Sequence, residues 1–161
     1  MKRIALVLTL LMGVPAMADT PLPPACDLLE GIDIAATLGA GTTYVPGMTI
    51  ENSAVRMSLC SADTPDLSRR MTLMARENLA ANVPDAATLR AQMIAELKET
   101  IGSAVVIEDV SIGDGGIWVS EIGQLTVWHR GGRVMLIFSP TPMQDRAAAE
   151  AAAQAVLAAY P

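Results

Sequence analysis

The sequence predicts an α+β fold, a largely antiparallel sheet of five to seven strands flanked by helices. Three observations predict it. Apolar and polar residues alternate over 55–60 and again over 70–76, the period-2 signature of strands with one buried face. Two β-rich runs, 124–129 and 134–139, flank Arg130-Gly131-Gly132-Arg133, and paired glycines between such runs mark a tight hairpin because both need positive φ. Two longer segments carry helical spacing with capping residues at their starts. Hairpin connections make the sheet antiparallel, with the helices packed on it.

The elements follow in order. Residues 19–25 are an extended, proline-rich lead-in. Cys26-Asp27-Leu28-Leu29 comes next, then a short helix over 33–38 that Asp33 caps and Gly39 ends. Residues 41–47 read as a loop. In the strand over 70–76, Met71, Leu73 and Ala75 share one side. Pro84-Asp85 opens the clearest helix: Leu89, Met93, Leu97 and Ile101 recur at helical spacing, and Gly102 stands where a C′ glycine belongs. The β-branched run 104–107 reads as a strand, 111–116 as a turn and 117–120 as a strand. Thr141-Pro142-Met143-Gln144 reads as the start of the last helix, with a cap, proline at N1 and glutamine at N3. Its buried stripe is Ala149, Ala153, Val156 and Tyr160.

The N-terminus has the three parts of a secretory signal. Lys2 and Arg3 give the positive charge, residues 4–12 form an apolar run, and Ala16-Met17-Ala18 is an A-x-A cleavage site. Residues 1–18 are therefore expected to leave after Ala18, so that 19–161 is a single periplasmic or secreted domain. The apolar run is about half the roughly 20 residues a bilayer span needs, so no integral membrane anchor is expected. No cysteine stands at the cleavage point to carry a lipid. Without Lys2 and Arg3, nine cations remain against 17 acids, a net charge near −8. That balance argues against nucleic acid and anionic membrane surfaces, which need basic patches. Cys26 and Cys60 are the only cysteines, and in an oxidising compartment they are expected to form one disulfide.

Three pieces together carry a resemblance. They are Cys26-Asp27-Leu28-Leu29 followed by Ile34-Ala35-Ala36-Thr37-Leu38-Gly39; Cys60 on a strand; and Gly113-Asp114-Gly115-Gly116-Ile117-Trp118 leading into the Leu125–Ile137 hairpin and a small-residue terminal helix. The pattern resembles the exported DUF3558-type domains of bacterial envelopes, which have no assigned activity. Its element order is similar to Mog1/PsbP-like domains, and that resemblance implies an accessory or binding subunit. Many DUF3558-type domains are lipoproteins, and this chain departs from them in lacking a lipidation cysteine.

No catalytic constellation and no cofactor or metal set emerges from the residues. His129 is the only histidine, and no Gly-x-Ser-x-Gly elbow accompanies it. A zinc site wants several His or Cys ligands. Seven methionines follow the signal, and thioethers can hold Cu(I), but most fall on apolar faces and read as core. Glu108, Asp109 and Asp114 lack the spacing of a calcium loop. Trp118 reads as core. Trp128, if exposed, would be the anchor for a partner together with Arg130 and Arg133, because Trp and Arg dominate hot spots. The expected function is a non-catalytic accessory or binding protein contacting an envelope protein or a small apolar ligand. The alternatives are a structural or stress-related envelope protein and a hydrolase with an atypical site at His129.

Overall fold

A computed structural model describes residues 20–161. The signal-like segment and its cleavage site lie outside the described residues. Two short helices, α1 (Ala25–Glu30) and α2 (Ile34–Leu38), lead into three strands, β1 (Thr43–Glu51), β2 (Val55–Asp63) and β3 (Arg70–Asn78). Helix α3 (Ala86–Thr100) follows, then β4 (Ile107–Val110), β5 (Gly115–Val119), β6 (Gln124–His129), β7 (Val134–Thr141) and helix α4 (Arg146–Ala159). All seven strands form one sheet in the order β1-β2-β3-β7-β6-β5-β4, and every neighbouring pair is antiparallel.

The strand period decides what each face of the sheet meets. On β3, Met71, Leu73 and Ala75 point to one side, with Leu136 and Phe138 beside them on β7 and Cys60 and Ala62 on β2. Helices α1, α2 and α4 close that side into the main core, to which α4 brings Ala148, Ala149, Ala152, Ala153 and Val156. Small side chains let α4 lie close to the sheet. The disulfide Cys26–Cys60 ties α1 to β2 with 5.1 Å between the Cα atoms. Closing a loop of 34 residues contributes about 3–4 kcal/mol in the chain-entropy model.

The opposite side carries Ile117, Val119 and Trp128, and among the described residues α3 is the helix that covers this part of it, through Leu89, Met93, Ile94 and Leu97. Asp85 caps α3 by accepting a hydrogen bond from the Thr88 amide at 2.7 Å. Ile101 ends the expected stripe but is exposed at the C-cap.

Several expectations need correction. Residues 41–47 are not all loop: β1 starts at Thr43, an edge strand in which Pro46 and Gly47 hide the β-branched pattern. The register shifts between Pro46 and Thr49, and an edge strand tolerates such a break. Only Ile107 of the run 104–107 is strand: Gly102 at φ +127° and the bond from Val105 N–H to Gly102 O turn the chain through Ala104, and Val105 and Val106 lead irregularly into β4. Helix α4 starts four residues after Pro142. Thr141 is still paired to Arg70 in the sheet, and Asp145 is the cap, accepting from Ala148 N–H at 3.1 Å. Cys26–Leu29, left unassigned by periodicity, lies in α1.

Candidate ligand-binding cleft

Helix α3 is only partly buried against the sheet. Of its residues only Ala86 is buried, and between the helix and the sheet lies a cleft of about 300 Å³. Trp128 on β6 and Met135 on β7 form its floor, paired directly across the two strands. Leu89 and Met93 overhang it from α3, with Gln92 and Glu96 on the outer rim. Arg76 and Asn78 of β3 stand on the far side, and Gly132 and Arg133 close one end.

The two arginines differ in how they are held. Arg133 donates from Nη1 to the carbonyls of Asn78 at 3.1 Å and Ala80 at 3.5 Å, so its guanidinium braces the chain leaving β3. Arg76 is exposed and makes no hydrogen bond or ion pair with any of the described residues. It lies between Met57 on β2 and Met135 on β7, directly opposite both. Beyond it the same face carries Leu59, Met74 and Ile137, side by side across β2, β3 and β7 and only half-buried. No helix lies over that part of the sheet among the described residues. The cleft thus opens onto a methionine-rich apolar surface, and methionine's flexible, polarizable side chain suits surfaces that adapt to what they bind.

A second cleft of about 300 Å³ lies where the lead-in crosses β1 and β2. Its polar groups already have partners. Glu77 Oε2 accepts from Leu22 N–H at 3.2 Å and from Arg56 Nη1 at 2.9 Å, Arg56 also meets Glu51, and Ser58 Oγ accepts from Ala25 N–H at 2.8 Å. It is the seat of the lead-in.

The three residues expected to form a surface contact do not share one. Trp128 is 1% exposed, because β6 turns it inward beneath α3. Arg133 is at the cleft. Arg130 instead ties the lead-in to the segment after α4, donating to Thr20 O at 2.6 Å and to Pro161 O at 3.2 Å. Trp118 belongs to the main core, as expected.

His129 has its Nε2 buried without a hydrogen bond to any of the described residues. Burial lowers its pKa from the ordinary 6.5, nearby Asp114 pulls it up, and Arg130 pushes it down. Among the hydrogen bonds of the described residues, none joins the ring to a serine or a carboxylate. The acids considered for calcium are separated by their own partners: Glu108 with Arg146, Asp109 with Arg90, and Asp114 with the Gly131 amide. Among the described residues no three His, Cys, Asp or Glu side chains group to hold a metal ion. Met71 points into the main core and Met74 to the other face, so the two are not a pair. Arg76 puts a fixed positive charge between Met57 and Met135, which opposes a Cu(I) ion there.

No helix among the described residues is long and apolar enough to cross a membrane. Comparison with protein-family models, curated proteins and solved structures gives no match to this chain.

The sequence patterns did not single out Arg76, Met93 or Met135 as a set. Their signal is the outward half of the β3 and β7 alternation, which has functional meaning only once α3 is known to cover that side in part.

Proposed function

We propose that this chain is an exported, non-catalytic binding domain of a bacterial envelope, and that it holds a small apolar ligand between α3 and the sheet. The signal-like N-terminus and the Cys26–Cys60 disulfide support export. The cleft carries the ligand reading: it is concave, with an apolar floor and overhang (Trp128, Met135, Leu89, Met93) facing a polar rim (Arg76, Asn78, Gln92, Glu96, Arg133), an amphipathic lining at the small end of the size range of ligand sites. The DUF3558-type resemblance belongs to the same proposal.

Native mass spectrometry of the protein recovered from its compartment tests it. The predicted result is the mass of residues 19–161 with one disulfide, plus a small-molecule adduct that organic solvent removes. A chain that never carries an adduct and takes up no apolar probe contradicts it. A second reading, an envelope protein as partner, draws on the uncovered apolar face at Leu59, Met74 and Ile137 and on the exposed Val45 and Ile50 near it.

A further inference from the structure

Resting on the reading of this cleft as a ligand site, we infer that its ligand is an amphiphile with a single carboxylate head and a linear apolar chain, and that Arg76 binds the head. Arg76 is a guanidinium with no protein partner among the described residues, standing beside an apolar floor. In a protein with an excess of acids, an Arg beside an apolar floor and without a partner among the described residues is a local reversal of charge. A planar guanidinium matches a planar carboxylate through two parallel hydrogen bonds.

The rim charges set the head group's size. Arg76 and Arg133 are offset by Glu96, and Arg133 already gives its Nη1 to backbone carbonyls. About one positive charge is left to recognise the ligand, which suits a monoanion better than a phosphate dianion. The chain then runs from Arg76 over Met135 and under Met93, with the buried Trp128 indole beneath it at the base of the cleft. A volume of about 300 Å³ stands at the small end of the usual range for ligand sites, which suits a single unbranched chain.

The test compares decanoate, decanol and decyltrimethylammonium, each below its micellar concentration, with the mature protein and with Arg76→Met. Binding is read by tryptophan fluorescence, because Trp128 lines the cleft while Trp118 lies in the core on the other side of the sheet. The expected order is decanoate tightest, decanol about tenfold weaker and the cation weakest. Arg76→Met should remove the preference for decanoate and leave decanol binding within about twofold of the parent, which also shows that the variant is folded. If decanoate and decanol bind alike and Arg76→Met changes neither, the carboxylate assignment is overturned while the apolar cleft stands. If none of the three probes binds, the ligand reading itself falls with it.

Discussion

Glu77 is a carboxylate only 4% exposed, and two donors hold it: the Leu22 amide of the lead-in and the Arg56 guanidinium. Removing it leaves a buried amide without an acceptor and frees the lead-in from β3. Arg56 is partly solvated, so the loss falls short of that for a fully buried pair. Glu77→Ala should cost about 1–3 kcal/mol, seen as a lower urea midpoint at unchanged slope, and Glu77→Gln should cost less. His129 supplies a second prediction. Its buried, unbonded Nε2 favours the neutral ring, so the folded pKa lies below the unfolded value near 6.5. Between the two values the unfolded chain binds more protons, and stability therefore rises with pH. The contribution is present above about pH 6.5, is lost as pH falls toward the folded value, and is level below it. As this is the only histidine, thermal unfolding of His129→Gln should show a flatter pH dependence across that window. An unchanged profile would mean that the ring is solvated in the fold.

At the scale of elements, the hairpin between β6 and β7 also seats α3. Arg130, Gly131 and Gly132 all have positive φ, and a Cβ at Gly132 would lie 2.7 Å from Pro84 O and 2.9 Å from Ala86 N. Gly132→Ala is therefore penalised by both backbone conformation and steric clash, and should destabilise by about 1–3 kcal/mol. Because the clash is with the start of α3, hydrogen exchange should also quicken in that helix; loosening confined to the hairpin would contradict the seating. The hairpin was legible because Gly-Gly between β-rich runs has a local cause, as was α3, whose Asp85 cap and apolar spacing are local too. Strand β1 was not, since Pro46 and Gly47 break its pattern and its pairing depends on β2, a non-local partner. The start of α4 was misplaced for a related reason. Thr141-Pro142 has the chemistry of a helix start, but pairing with Arg70 keeps Thr141 in the sheet and gives the cap to Asp145.

Across the whole molecule, the sheet's two faces are covered unequally. Three helices close one side around Phe138, Leu136 and the alanines of α4, whereas α3 closes only part of the other. The alternation over 55–60 and 70–76 showed which residues share a face of their strand, but not which side a single helix would leave open. For that reason the sequence left open whether Trp128 is exposed, and it proves to lie buried under α3 at the base of the cleft. We propose that this partly covered side binds an apolar ligand. Chemical-shift mapping with decanoate on the isotope-labelled mature domain tests it most directly. Perturbations are expected at the Trp128 indole N–H, the amides of 89–96 and those of 132–135, with α4 and the Trp118 indole unmoved. Perturbations centred on the lead-in cleft or on α4, or none at all, would contradict it.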